Sequence, residues 1–458
     1  MMEHLETHER MQMWENIQQA LVNEQIDQFR AEFLELHPYD QAKIFEEQEE
    51  DIRFLIYTYL SPEEMAEVME HVDRDLVSEF ISEMVPAFAA KIFEEMATDD
   101  AVDILNELEK NKVASFLTIM EKEASDEIKQ LLHYEEKTAG SIMTTEFVVI
   151  HHEMTVKEAM RHLRKAAPDA ETIYYIYVVD SYKKLVGVIS LRDLIIAEGD
   201  WIIYDVMNER VVSVPVGEGQ EDIAQMMRDY DFLALPVVDF QDHLLGIITV
   251  DDIMDVMEEE ASDDYSKLAG ISDVERFGDT AVHAAKKRLP WLIALLFLGM
   301  FTASIISRFE TALDQVALLA AFIPVIAGMA GNTGTQALAV AVRSISTGDM
   351  DKIGKASVIW QEAKTGVITG TTCGVLITII VAFWYGEIYL GILVGISIMA
   401  TLIVATIAGA FVPLVMHRFN IDPAVASGPF ITTLNDIISM LIYFGLATAF
   451  MNLLIGGG

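Results

Sequence analysis

The sequence predicts a multidomain membrane protein in which an acidic helical segment and a repeated α/β segment precede a helical membrane segment. Nearly all of the formal net charge of −41 lies before residue 271, because residues 271–458 carry almost equal numbers of acidic and basic side chains. Long apolar stretches then occupy most of the chain from residue 289 onward. A charge asymmetry of this size indicates that the two halves have different solvents and partners.

Residues 1–136 predict an acidic domain of short helices. Apolar side chains recur there at helical spacing. Ser61-Pro62-Glu63-Glu64 is typical of a helix N-terminus, with proline at the first helical position and acids in the first turn. The spacing predicts helices over 61–71, 73–84, 86–96, 99–109, 111–119 and 123–133. Such short units favour a helical array or superhelix over a coiled coil.

The acidic surface narrows the range of partners. It repels nucleic acid and anionic lipid and attracts hard divalent cations, although solubility alone also explains it. The single cysteine, Cys373, lies in an apolar stretch and gives no disulfide framework, which suits a reducing cytosol. No basic region precedes an apolar core at the start, so we expect no secretory signal peptide.

Residues 137–200 and 201–257 are two copies of one pattern. The first copy contains Tyr177-Val-Val-Asp180 and Gly187-Val-Ile-Ser190-Leu-Arg-Asp193, and the second contains Pro236-Val-Val-Asp239 and Gly246-Ile-Ile-Thr249-Val-Asp-Asp252. Each copy predicts a helix, two strands joined by a turn, and a second helix. The pattern resembles a tandem CBS-domain pair.

The CBS pair has two interpretations. The aspartate that follows each second strand opens a helix, where it caps the helix or accepts hydrogen bonds from ribose hydroxyls. The pair is therefore either structural or a site for an adenine nucleotide. In the second case we predict that Tyr175 stacks on the base, that Asp193 holds the ribose, and that Arg192 also binds the nucleotide.

Residues 258–288 predict a helical connector. Acidic side chains crowd one side of it, namely Glu258, Glu259, Glu260, Asp263 and Asp264. Either this face is solvated or it binds cations against the acidic helices upstream. Lys286-Lys287-Arg288 then precedes the first apolar stretch.

Residues 289–458 predict a membrane domain with five helices. The candidate spans are Leu289–Ser307, Val316–Val342, Val358–Tyr385, Ile388–Met416 and Ala424–Leu454. Basic residues cluster before the first span, between the second and third (Lys352 among them) and between the fourth and fifth. The positive-inside rule therefore predicts a multi-pass protein of the cell (inner) membrane, with a cytosolic N-terminus and the C-terminus outside.

One acidic residue lies deep in the last span. A carboxylate at the depth of Asp436 costs roughly 2.5–3.5 kcal/mol on insertion scales, and such groups are functional candidates by default. The alternative is a protonated or hydrogen-bonded aspartate that only fixes helix packing. Glycines and polar residues in the second span predict either close packing or a watery lining. We predict that Asn332, Gln336, Thr432 and Thr433 line a pore.

Together these features resemble the MgtE family of magnesium channels, both in the order of domains and in three stretches: Leu132–Met143, Gly331–Gln336 and Ser427–Asp436. The resemblance implies a homodimer with its pore on the two-fold axis, Asp436 as the pore ligand for Mg²⁺, and ATP at Tyr175 and Asp193. It also implies regulatory Mg²⁺ held by Asp100, Asp239, Glu260 and Asp263. Neighbouring acids are alternatives at those places: Asp99, Asp103, Glu259 and Asp264.

The resulting prediction is a channel for Mg²⁺ uptake across the plasma membrane. Cytosolic Mg²⁺ closes it at the acidic region, and ATP tunes it if the CBS pair binds nucleotide. Its partners are Mg²⁺, membrane lipid and a second copy. The alternatives are an ion-coupled carrier of Mg²⁺, Co²⁺ or Mn²⁺, and a scaffold without a pore. One midspan acid favours a channel over a carrier. The absence of a nucleophile elbow, P-loop or zinc motif argues against an enzyme.

Overall fold

Two units make up the chain in the computed structural model, which describes residues 7–272, 280–347, 354–419 and 421–451. The first unit extends to Val256 and the second begins at Met257. Parts of four predictions lie outside the described residues: positions 1–6 of the acidic domain, positions 273–279 of the connector, Lys352, and positions 452–454 of the fifth span. In the described residues the predicted fold class is confirmed: a helical N-domain, a repeated α/β segment and five long apolar helices.

Short amphipathic helices form the front of the first unit. Ser61 shows the local cause of one of them: its hydroxyl accepts a hydrogen bond from the backbone N–H of Glu64, and the Glu64 carboxylate accepts one from the N–H of Ser61. The helices are α1 (Thr7–Val22), α2 (Ile26–Phe33), α3 (Pro38–Glu46), α4 (Glu50–Tyr59), α5 (Pro62–Met69), α6 (Arg74–Glu83), α7 (Pro86–Glu95), α8 (Thr98–Asn106), α9 (Lys110–Ile119) and α10 (Lys122–Leu131).

The repeat folds into two similar three-stranded sheets. In each sheet the first strand pairs in parallel with the second, and the second pairs antiparallel with the third. The elements are β1 (Phe147–His151), α11 (Val156–Ala166), β2 (Thr172–Val179), β3 (Leu185–Ser190), α12 (Leu191–Ile196), α13 (Ile203–Val206), β4 (Val214–Pro215), α14 (Gln220–Tyr230), β5 (Ala234–Val238), β6 (Leu244–Thr249) and α15 (Val250–Leu268).

The helical N-domain and the second CBS copy share one hydrophobic core. Buried side chains of the helices, such as Phe93 and Leu131, belong to the same cluster as Val237 and Ile248 of the second sheet. The first sheet has a core of its own around Val148 and Ile176. The shared core holds α8 and the start of α15 in one unit, which positions their acidic residues.

Long apolar helices form the second unit. They are α16 (Ala281–Ser307), α18 (Leu319–Ser346), α19 (Lys355–Tyr385), α20 (Ile388–Arg418) and α21 (Gly428–Ala449), with the short α17 (Glu310–Gln315) after the first. All five long helices have the length and composition to cross a membrane. Gly366, Gly370 and Gly374 of α19 pack closely against α20, as a face of small residues predicts.

Candidate metal and nucleotide sites

Three carboxylates from distant parts of the chain meet in the first unit. Asp99 lies in the first turn of α8, Glu171 directly precedes β2, and Asp252 lies in the first turn of α15. Each offers a carboxylate oxygen, and the three oxygens lie within 4.8 Å of one another. The hydroxyl of Thr249 donates a hydrogen bond to Asp252 and fixes its position. We call these three residues the acidic cluster.

Burial and mutual repulsion raise the pKa of every member. Asp99 is only 7% exposed, and its pKa is raised well above the usual range by burial and then by Asp252 and Asp100. Glu171 is exposed over part of its side chain, but partial burial of its carboxyl group, followed by the charge of Asp252, raises its pKa to about 7. Burial, followed by Asp251, raises the pKa of Asp252 to about 6. Without a cation, the cluster therefore retains protons that free carboxyl groups would lose.

The donor set fits a hard divalent cation. All three groups offer oxygen, which is the ligand that Mg²⁺ and Ca²⁺ take. In the described part of the chain, Oδ1 of the buried Asp99 has no hydrogen-bond partner, which is costly unless an ion or water satisfies it. None of the three residues forms an ion pair with a described lysine or arginine.

The predicted ligand Asp100 belongs to the surroundings of the cluster. Burial and then Glu70 and Asp252 raise the pKa of Asp100 to about 8. Burial also raises the pKa of Glu70 and of Glu146, so several more acids stand nearby in poorly hydrated positions. The other predicted ligand on α8, Asp103, forms an ion pair with Arg74 at 2.8 Å.

Asp239 has a local role in the structure. It lies in the turn between β5 and β6, where its carboxylate accepts hydrogen bonds from the backbone N–H groups of Gln241 and His243. Its second oxygen is 2.9 Å from Nδ1 of His243. These contacts hold the pKa of Asp239 below its usual value, chiefly through the His243 ring. The acidic cluster does not include Asp239.

The later part of α15 contacts the membrane helices within the second unit. Nζ of Lys267 lies 2.7 Å from Asp422, which precedes α21, and 3.7 Å from Asp263. Ser346, at the end of α18, donates a hydrogen bond of 2.9 Å to Asp264. Of the predicted connector ligands, Glu259 is exposed and Glu260 is half-buried.

The first CBS copy brings the predicted nucleotide residues together. Tyr175 of β2 lies opposite Ser190, the last residue of β3. The hydroxyl of Ser190 donates to the carboxylate of Asp193 at 2.6 Å, and Arg192 and Asp193 are both exposed. In the second copy Ala234 pairs with Thr249, so an alanine stands where the first copy has Tyr175.

The predicted pore residues lie on the helix pair α18 and α21. A Cβ atom at Gly331 would lie 2.6 Å from Cγ2 of Thr432, and Oγ1 of Thr335 is 3.3 Å from Oγ1 of Thr432. The second span is thus one continuous helix that packs closely, which favours close packing over a watery lining as the reason for its glycines and polar residues. Asp436 is half-buried on α21, as are Thr432 and Thr433, and Asn332 and Gln336 are exposed one turn apart on α18.

Comparison with known proteins decides the family. Models named "MgtE intracellular N domain", "CBS domain" and "Divalent cation transporter" match residues 36–137, 139–200 with 203–259, and 323–446, respectively. The magnesium transporter MgtE of Enterococcus faecalis is 49% identical over 94% of this chain and 96% of its own length. The chain belongs to the MgtE family. The MgtE proteins of Bacillus subtilis and Thermus thermophilus are 42% and 37% identical, over 93% and 94% of this chain and 95% and 97% of theirs.

Solved structures resemble the first unit. The soluble part of a magnesium transporter is 50% identical, with a TM-score of 0.53, over 55% of this chain and 98% of its own. The cytosolic domain of the Mg²⁺ channel MgtE in complex with ATP is 39% identical, with a TM-score of 0.51, over 53% of this chain and 99% of its own. The predicted family is confirmed, and the chain is a multi-pass membrane protein of a magnesium transporter family.

Sequence reasoning missed two members of the acidic cluster. The sequence offers Asp99 as an alternative to Asp100, but it presents Asp252 only as the repeat counterpart of Asp193. Glu171 belongs to no motif. The signal for Asp252 was the copy-two pattern itself, because an aspartate at the start of an acidic helix is a candidate for cation binding as well as for ribose.

Proposed function

We propose that the chain forms, as a homodimer, a Mg²⁺-selective channel for Mg²⁺ uptake, with Asp436 as the ligand in its pore. The observation that carries this proposal is the position of Asp436: a half-buried carboxylate on α21, the helix whose Thr432 and Asn435 pack against Gly331 and Gly334 of α18. Mg²⁺ gives up its waters reluctantly and binds to few carboxylates. One aspartate per subunit, doubled by two-fold symmetry, suits a largely hydrated ion better than a cage of ligands.

Neighbouring polar atoms support the role of Asp436. The hydroxyls of Thr432 and Thr433 donate to carbonyl groups of their own helix, at 2.8 and 2.9 Å, so their oxygen lone pairs stay available to accept hydrogen bonds from water. A water shell around Mg²⁺ offers only hydrogen-bond donors to the outside. Asn332 and Gln336 are proposed to extend this lining on α18.

Cytosolic Mg²⁺ is proposed to close the channel by binding at the acidic cluster. Asp99, Glu171 and Asp252 come from the N-domain, the first CBS copy and the start of α15, so one ion there would draw three parts of the chain together. An ion shifts such an equilibrium only through its preference for the compact state. Asp100 supports the site as an additional acid. Asp103, Asp239, Glu259, Glu260 and Asp263 stay predictions from the family resemblance.

Nucleotide binding at Tyr175, Arg192 and Asp193 is proposed to tune the channel. The support is the register that sets Tyr175 opposite Ser190, next to the exposed Asp193, and a 39% identical cytosolic domain that was solved with ATP. We further propose that the N-terminus is cytosolic and the C-terminus lies outside, on the distribution of basic residues.

The decisive experiment compares a channel with a coupled carrier. Purified protein in proteoliposomes is tested for Mg²⁺ influx with and without an opposing pH or Na⁺ gradient. A channel gives influx that follows the Mg²⁺ gradient and membrane potential alone. Influx that requires a proton or Na⁺ gradient would instead support the ion-coupled carrier, and no influx at all would support the scaffold.

A further inference from the structure

A buried amide lies next to the proposed pore aspartate. Asn435 of α21 is 1% exposed, and its Nδ2 donates a long hydrogen bond of 3.5 Å to the carbonyl oxygen of Ala330 on α18. Among the described residues its Oδ1 has no hydrogen-bond partner. A buried polar atom without a partner costs stability, and a leucine, which has the same number of side-chain heavy atoms, would avoid that cost. The position therefore calls for an explanation other than packing.

A notch in α18 receives this amide. Gly334 has no side chain, and a Cβ atom built there would overlap Nδ2 of Asn435 and lie 3.2 Å from its Cγ. The same Cβ would lie 3.0 Å from Cγ2 of Ile431, one turn earlier on α21. The polar side chain of Asn435 thus occupies the space on α18 that Gly334 leaves.

The buried stripe of α21 limits how this helix can rotate. Its members are one turn apart: Ile431, Asn435, Ser439, Tyr443 and Ala447. The hydroxyl of Tyr443 donates a 2.9 Å hydrogen bond to the carbonyl of Leu319 near the other end of α18. Asn435 is the fixed point closest to Asp436, which follows it at about 100° around the helix.

We infer that Asn435, seated against Gly334, sets the rotation of α21 and is thereby a positioning residue that determines the ion selectivity of Asp436. This inference rests on the proposed role of Asp436 in the pore. Side-chain ends lie about 6 Å from a helix axis, so a rotation of about 20° would move the carboxylate by about 2 Å. A displacement of that size equals the length of a Mg²⁺–oxygen bond, about 2.0–2.1 Å. A hydrated ion held by one carboxylate per subunit would then lose its fit.

Four variants of the full chain test this. Asn435→Leu keeps the number and branching of the side-chain heavy atoms and removes the amide, and it adds no buried polar group. Gly334→Ala keeps the amide and fills its notch. The double variant Gly334→Ala with Asn435→Ala has no overlap between positions 334 and 435 and also lacks the amide. Gly445→Ala is the matched control: on the same helix nothing lies within 4 Å of the added Cβ, and Gly445 is about half a turn around from Asp436.

The measurement is the ratio of Mg²⁺ uptake to Ca²⁺ and Mn²⁺ uptake in proteoliposomes, at equal amounts of inserted protein. We expect this ratio to fall about tenfold in Asn435→Leu and in Gly334→Ala, since small misplacements of a ligand group cost such factors. The double variant should insert as well as wild type and still show the lowered ratio. Gly445→Ala should keep the wild-type ratio. If Asn435→Leu inserts and keeps the wild-type ratio, the inference is wrong and the amide has only a structural role.

A parallel variant separates this inference from the proposal on which it rests. Wild-type uptake by Asp436→Ala would overturn the pore assignment itself. Loss of uptake in Asp436→Ala, together with a wild-type ratio in Asn435→Leu, would overturn only the role of Asn435.

Discussion

Replacing Asp252 with asparagine should make the metal-free first unit more stable and, at the same time, less responsive to Mg²⁺. Asparagine keeps an oxygen that accepts the hydrogen bond from Thr249, so the position of the side chain is preserved. The substitution removes one of the negative charges that face Asp99 and Glu171. Metal-free stability should rise while the stabilisation by Mg²⁺ falls, so a general loss of folding would not produce both effects.

The size of the effect follows from the pKa of Asp252. Its displacement from 3.8 to about 6 corresponds to about 3 kcal/mol against the charged folded state at neutral to basic pH. Because Asp252 is only half-buried, solvent screening reduces this to about 1–2 kcal/mol. For a unit of this size the melting temperature should rise by about 2–8 °C.

The pH dependence follows from linkage. Below about pH 4 both the folded and the unfolded states hold these protons, so the cluster costs nothing. As the pH rises, the unfolded chain loses protons first, while the pKa values of about 6 for Asp252 and about 7 for Glu171 keep them bound in the folded state. The free energy of unfolding therefore falls between about pH 4 and about pH 8 in wild type, and it should fall less in Asp252→Asn.

Thermal and chemical unfolding of residues 1–270 measure both effects, in chelator and in millimolar Mg²⁺. The fragment is suitable because the first unit has its own cores, and the soluble part of a 50% identical transporter has been crystallised. Mg²⁺ should stabilise wild type according to its affinity for the folded state, most strongly at about pH 8, and should stabilise Asp252→Asn much less. The control is Asp255→Asn, an exposed acid on the same helix, which should behave like wild type. A lower melting temperature for Asp252→Asn in chelator, or a wild-type response to Mg²⁺, would refute the electrostatic reasoning.

Three further predictions concern the other sites. Asp436→Ala should abolish Mg²⁺ uptake into proteoliposomes while dimer assembly, measured by light scattering, is retained; Asp436→Asn should also fail, because an amide cannot balance a divalent charge. Tyr175→Ala and Asp193→Asn should each weaken ATP binding to residues 1–270 in calorimetry, and unchanged affinity in both would argue for a purely structural CBS pair. In patch recordings, Lys267→Glu should leave the channel open at cytosolic Mg²⁺ levels that close wild type, because the new carboxylate repels Asp422. Adding Asp422→Lys should restore closure. If it does not, the ion pair does not hold the connector.

Local signals were sufficient for most of the fold. Helical periodicity predicts 86–96 where the helix is Pro86–Glu95, and 111–119 where it is Lys110–Ile119. The repeated motif predicted two equivalent strand pairs, and both are present with matching register. Apolar length alone predicted five membrane helices. These features depend on residues close together in the chain, which is why one sequence reveals them.

The acidic cluster depended on tertiary packing and was only partly predictable. Asp99, Glu171 and Asp252 meet because the helical N-domain and the second CBS copy share a hydrophobic core, and no local pattern encodes that docking. The sequence shows an excess of acidic residues, but it does not show which of them lose their hydration when the chain folds. Asp239 illustrates the difficulty: the family resemblance implies a ligand there, while its turn already supplies three hydrogen-bond donors.

The two CBS copies show how one motif can serve two ligands. Asp193 and Asp252 follow the same strand-to-helix turn, and each accepts a hydrogen bond from the hydroxyl three residues before it. Around Asp193 the chain presents an aromatic ring and open space, whereas around Asp252 it presents Asp99 and Glu171. An anionic nucleotide at Asp252 would face two further carboxylates at close range, where solvent screens them poorly. A divalent cation gains from the same arrangement. We therefore expect nucleotide in the first copy and metal in the second, with the choice made by residues from outside the motif.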